Sequence, residues 1–265
     1  MPTQISTSET LSLIQKLETF INDEKFIPAT NFFRSKVLLA LMSKALTTGR
    51  AICLLVDGGF PEEAFGLSRT LIDIFFNVRY ISNKDTERRA KQFAEYIAKT
   101  QEELIRLSHK HYPTKADHPK LGEGFAELAK VYNSAHRWTD ARIKEMALEP
   151  DSYEVNEVGS PTIHDFDYEY VYWQTSQFVH ATILSLGEHS TNHGEQFRIR
   201  PKVGEGFGPD RGEEAIFNVL AFISKTFVSG YRGLNSDQPA DILEETRQVL
   251  SSYARASSKR RSRKD

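Results

Sequence analysis

The chain has 265 residues, 39% apolar and 26% charged, enough for one large helical domain or two small ones. Its net charge of −2 hides a division: residues 255–265 hold six Lys/Arg and one acid, and the rest carries 28 bases against 35 acids. An acidic body excludes a general nucleic-acid footprint. The lone Cys53, in an apolar run, excludes an intramolecular disulfide and reads as a buried inert thiol.

Met1 to Glu9 is polar and lacks a signal peptide's apolar run. No segment reads as the roughly 18 consecutive apolar residues of a membrane span. The expectation is a cytoplasmic protein with no membrane contact. Ser6-x-x-Glu9 predicts a capping box for a first helix to about Asn22. After Phe26-Ile27-Pro28 a long apolar helix spans about 31–56, closed by the turn Asp57-Gly58-Gly59-Phe60. Pro61-Glu62-Glu63 opens the next, with Pro at the first helical position and acids in the first turn. Its apolar positions Ala64, Leu67, Leu71, Phe75, Val78 and Ile81 keep the helical period.

A long charged helix follows from Asn83-Lys84-Asp85 to about His111, then shorter ones over about 119–134 and 139–148. Residues 149–161 form a loop, and a helix is predicted over about 166–188. The Gly/Pro-rich stretch 192–209 is an irregular insertion. Asp210-x-x-Glu213 caps a helix to about Tyr231, and a last helix covers about 240–254. The sum is a single all-α bundle of about nine helices over residues 1–254, with a disordered basic tail over 255–265.

Two helices carry polar stripes inside apolar runs. One holds Arg69, Asp73, Asn77 and Tyr80; the other holds Tyr168, Tyr172, Ser176 and His180. Spacings of three and four place each set along one side of its helix. Polar groups so placed need partners, and the two stripes can supply them for each other. Asp73 reaching His180 would fix its tautomer, and Ser176 would bond His180 or the carbonyl of Tyr172. An acid–His–Ser set in mid-helix has no exposed nucleophile turn and no oxyanion hole. A structural network is therefore the expectation over catalysis.

The same residues carry a resemblance. Gly58-Gly59, Glu63-Ala64 and Leu67-Ser68-Arg69-Thr70-Leu71-Ile72-Asp73 resemble the central helix of the family called domain of unknown function 5677. Trp138, the 142–147 helix and Tyr172-x-x-x-Ser176-x-x-x-His180 resemble its second half. The resemblance covers about residues 31–190. It implies an all-α prokaryotic domain with no assigned reaction, and it carries over Arg69, Asp73, Tyr172, Ser176 and His180. The family usually shows Arg-x-x-x-Glu, and here the shorter Asp73 stands for the Glu.

Arg106-x-x-x-x-His111 is similar to the motif of the HEPN helical ribonucleases, in which Arg and His from two protomers act on the scissile phosphate. That resemblance implies a metal-independent ribonuclease and a homodimer. Against it, Leu107 follows the Arg where the family has a polar residue, and a cationic helix end needs no catalytic explanation. His189-x-x-x-His193 has metal spacing on a helix but no evident third ligand. His164-Asp165 has a capping role open to it. Gly204-Glu205-Gly206-Phe207-Gly208 follows no strand and lacks the Lys-Ser/Thr pair of a phosphate loop. No metal and no cofactor is expected. The tail from Lys259 offers weak, salt-dependent contact with nucleic acid or an acidic protein, the alternative function of an adaptor. A stress or phage-defence module is the expected setting, by analogy with other small helical defence proteins.

Overall fold

The computed structural model describes residues 5–23, 32–113, 120–122, 124–132, 137–149, 166–180, 190–193, 196–199, 211–235 and 239–261. The predicted loop 149–161 (beyond Glu149), the pair His164-Asp165, the glycine-rich run 204–208 and the cap Asp210 lie outside the described residues.

The fold is the expected all-α bundle. Helix α1 (Thr7–Ile21) starts where the Ser6 side chain accepts a bond from the Glu9 backbone N–H. Helix α2 (Phe32–Asp57) presents Leu38, Met42, Ala45 and Ile52 to the core. Helix α3 (Pro61–Asn83) has Pro61 in its first turn and lies at the centre of the bundle, so it is buried on nearly every side. Helices α4 (Thr86–Glu95) and α5 (Ile97–His111) follow, then α6 (Phe125–Val131) and α7 (Ile143–Leu148). A π-helical turn, Asp167–Tyr172, runs directly into α8 (Trp173–Val179). A hairpin of β1 (Ser190–His193) and β2 (Gln196–Ile199) precedes α9 (Arg211–Leu234) and α10 (Ala240–Arg261).

The core forms where α2, α3 and α9 pack on one another. Gly49 permits the approach of α2 to α9: a Cβ there would lie 2.6 Å from Ile223 Cδ1. Gly233 does the same between α9, α2 and α3, where a Cβ would meet Ser82 Oγ at 2.4 Å and Leu38 Cδ1 at 2.8 Å. Cys53 is fully buried, and burial pushes its thiol up to about 12, the state of an inert core residue.

Several boundaries differ from those read in the sequence. The long charged helix is interrupted at Tyr96, whose ring meets Tyr132 edge-on at 5.6 Å and draws the chain toward α6. The striped helix has its last described helical residue at Val179, and residues 181–189 lie outside the description. Part of the predicted irregular insertion is the antiparallel hairpin, pairing Ser190 with Ile199 through His193 with Gln196. His193 therefore sits on a strand, not on the helix that a His-x-x-x-His metal pair requires. Among the described residues no cluster of three His, Cys, Asp or Glu is placed to hold a metal.

Helix α10 is described through Arg261, and residues 262–265 of the basic tail lie outside the described residues. Ala254, Arg255, Ala256 and the terminal Lys/Arg are good helix formers, and cations favour a helix C-terminus. The segment Phe33–Asp57 in α2 contains an 18-residue stretch of mean hydropathy 1.5, long and apolar enough to cross a membrane by length and composition alone, and half of that stretch is buried in the bundle.

Candidate functional site

The two polar stripes meet. Helix α3 presents Arg69, Asp73 and Asn77 to the π-helical turn, α8 and Trp138. The Arg69 guanidinium donates from one NH group to both carboxylate oxygens of Asp73, at 3.0 and 3.1 Å. Its Nε donates to Ser176 Oγ at 3.0 Å. Its plane covers the ring of Tyr172, with Cζ 3.2 Å from the ring centre.

The local backbone explains why Ser176 is available. A π-helical turn shifts the regular hydrogen-bond ladder and leaves carbonyls for side chains to satisfy. The Ser176 hydroxyl donates to the Tyr172 carbonyl at 2.6 Å, and Thr175 donates to the carbonyls of Val171 and Tyr172 at 2.9 and 3.1 Å. The same turn stacks Tyr168 on Tyr172, ring centres 4.9 Å apart, and both rings lean on Phe76. Asp167, buried at the start of the turn, accepts from Lys225 of α9 at 2.6 Å.

The network continues along α3. Asn77 donates to the Asp73 carbonyl at 2.7 Å and accepts from the indole N–H of Trp138 at 2.7 Å. Trp138 stands edge-on to Tyr80 and Phe93, at 5.7 and 5.2 Å. Trp138 and Tyr80 form one wall of a cleft of about 550 Å³, bounded also by Arg88, Glu95, Tyr132 and Arg137. The last residue of the α3 stripe thus opens onto the cleft that the stripe helps to build.

Charges in the network are unequally screened. The Arg69 side chain is 18% exposed and that of Asp73 40%. Burial raises the Asp73 carboxyl to about 6, and Arg69 acts in the opposite direction. Burial lowers the Arg69 pKa, opposed by Asp73. Burial also raises Tyr172 to about 12, so the phenol stays protonated at neutral pH.

Of the residues singled out in the sequence, Arg69, Asp73, Tyr172 and Ser176 come together. His180 does not join them. It is exposed at the C-cap of α8, where its backbone N–H meets the Ser176 carbonyl, and its ring is outside the network. The acid–His–Ser arrangement is therefore absent: Arg69, not His180, binds the carboxylate and the hydroxyl. The physical reason is reach, since the guanidinium on α3 spans to both partners and shields one from the other. Arg106 is exposed and paired with Glu103 on its own helix, at 2.6 and 2.7 Å, and His111 is the exposed last residue of α5.

A second buried cluster escaped the sequence reading. Arg79 donates to the carbonyls of Met146, Ala147 and Glu149, capping the C-terminus of α7. The Glu149 carboxylate takes a bidentate bond from Arg89 at 2.8 Å and others from Asn83 and Lys84. Burial works to raise Glu149, but these donors overcome it and hold the group down at about 2. The available signal was Arg79 itself, a charge inside Phe75-Phe76-Asn77-Val78-Arg79-Tyr80-Ile81.

The profile of a family of unknown function, DUF5677, matches residues 35–197. The chain belongs to this family. In DUF5677 terms the match runs from α2 to the hairpin, so it takes in the whole Arg69–Trp138 network, the cleft and the Glu149 cluster. It reaches past residue 190, where the sequence reading had ended the family-like core, and leaves out α1, α9 and α10. No curated protein matches the chain, and no solved structure does.

Proposed function

We propose that this DUF5677 protein works by binding and not by turnover, with the Arg69–Asp73–Ser176 network as a clamp between α3 and α8 and the cleft beside Trp138 as the ligand site. The observation that carries the reading is the state of Ser176. Its hydroxyl proton is committed to the Tyr172 carbonyl and one of its lone pairs to Arg69, so no base among the described residues takes that proton. A mid-helix position also supplies no oxyanion donors.

The cleft has the size of a small-molecule site, within the roughly 300–1,000 Å³ usual for one. Its walls combine three aromatic rings, Tyr80, Tyr132 and Trp138, with Arg88, Arg137, Glu95 and Asp140. Such a lining suits a small flat molecule bearing an anionic group, its ring against the aromatic wall and its anion on an arginine. The clamp and this site share helix α3: Asn77 is fixed by the Asp73 backbone carbonyl, one turn away, and in turn fixes Trp138.

The test uses tryptophan emission. The chain has two tryptophans, and Trp173 is exposed on α8, so Trp173→Phe leaves Trp138 as sole reporter. Titration with nucleoside monophosphates and with aromatic carboxylates is expected to give a saturable change with one of them, weakened at least about tenfold by Arg137→Ala, as for loss of a charged hydrogen bond. No saturable response at millimolar ligand, or turnover that disappears in Ser176→Ala with the fold retained, contradicts the reading.

A further inference from the structure

We propose that the outer face of α5 binds a second copy of this chain, forming an antiparallel helix pair. The inference is independent of the cleft and rests on how α5 divides its residues.

Helix α5 has 15 residues, a length of about 22 Å at 1.5 Å per residue. Its inner side lies on α6, and Ala98 is its one buried residue. The opposite side carries Ile97, Thr100, Leu104, Leu107 and His111, spaced three, four, three and four apart. That is the seam of two coiled-coil heptads. The apolar members of this seam face solvent: Ile97 is 51% exposed, Leu104 60% and Leu107 36%. Ile105, off the seam, is partly covered. Single exposed leucines are ordinary on a protein surface, but three at seam spacing on one helix form a contact surface.

Charge identifies the occupant. Glu103 and Lys110 precede seam positions 104 and 111 and lie on the same flank, seven residues apart. In an antiparallel pair Leu104 of each copy layers against Leu107 of the other. Glu103 of each copy then lies beside Lys110 of the other, twice over by the two-fold symmetry. A parallel pair sets Glu103 beside Ser108 instead and gains no opposite charge. The helix is divided to match, with Glu102 and Glu103 in its first half and Arg106, His109, Lys110 and His111 in its second. Within the helix Lys99 is bonded to Glu102 at 2.6 Å and Arg106 to Glu103 at 2.6 and 2.7 Å, the latter an exposed bridge that Lys110 of the other copy would share. The surface is thus self-complementary only when one copy is reversed.

Two heptads make a small interface, so the pair is a reversible one, with Kd on the order of 10 µM. Sedimentation equilibrium of the full chain from about 1 to about 200 µM should show a monomer–dimer equilibrium in this range. Leu104→Glu should leave a monomer throughout, with unchanged circular dichroism and Tm, because the residue is exposed and not part of the core. Glu103→Lys should raise Kd about tenfold or more, and Glu103→Lys with Lys110→Glu should restore it. A chain that stays monomeric to the highest concentration overturns the proposal and leaves the stripe to another partner. A dimer indifferent to Leu104→Glu places the interface elsewhere and overturns it too. A charge swap that fails to restore association contradicts the antiparallel register.

Discussion

Arg69 joins more of the site than any other residue. One side chain donates to Asp73 and Ser176 and covers the Tyr172 ring. Its removal leaves a carboxylate and a hydroxyl without their donor, and truncating one member of a partly buried charged network typically costs a few kcal/mol. Arg69→Ala is expected to lower stability by about 2–3 kcal/mol in urea unfolding, and Arg69→Lys by less, since an ammonium keeps the charge but cannot stack or reach both partners. Stability unchanged in Arg69→Ala would show that the network is ornament.

The two carboxylates act in opposite pH windows. Asp73 has its folded pKa raised from 3.8 to about 6, so its contribution is full below 3.8 and is lost as pH rises through 6. Glu149 has its folded pKa lowered from 4.5 to about 2, so its contribution is full above 4.5 and is lost as pH falls toward 2. Chemical denaturation from pH 2 to 8 should therefore show Asp73→Asn flattening the decline between about 4 and 6, and Glu149→Gln removing the decline below about 4.5. An Asp73→Asn profile parallel to wild type would contradict the assignment of the upper limb.

At the scale of elements, the sequence was most legible where hydrophobic period and capping chemistry agree. Ser6 at the start of α1, Pro61 at the start of α3 and the Leu71–Phe75–Val78–Ile81 face follow from local rules, and the structure has them. Less legible was whatever a distant contact decides. The break at Tyr96 depends on Tyr132, which no local pattern announces. The π-helical turn at Asp167–Tyr172 is tied to α9 through Lys225 and packed against Phe76, so its wider winding belongs to the tertiary structure. The site divides in the same way. Its spacing along each helix was readable, but the choice of Arg69 over His180 as partner depends on how α8 sits against α3. Helix approach can be tested too. Gly233→Ala brings a methyl within 2.4 Å of Ser82 Oγ and should cost about 1–3 kcal/mol in thermal or urea unfolding. Wild-type stability in that variant would mean that α9 is not held so close.

Across the whole molecule the parts form one line of support. The bundle of α2, α3 and α9 holds α3 rigid, and α3 carries both polar clusters. Through Asn77 it positions Trp138 at the cleft, and through Arg79 it holds the end of α7. A family match from residue 35 to residue 197 encloses these parts and leaves the flanking helices outside. The central claim is that the network is a clamp between α3 and α8. A double-mutant cycle of Arg69→Ala and Ser176→Ala, read by urea unfolding, tests it most directly. The account predicts a coupling of about 1–2 kcal/mol, as for contacting groups in one hydrogen-bond network. Effects that add to within about 0.3 kcal/mol, the behaviour of independent sites, would contradict it.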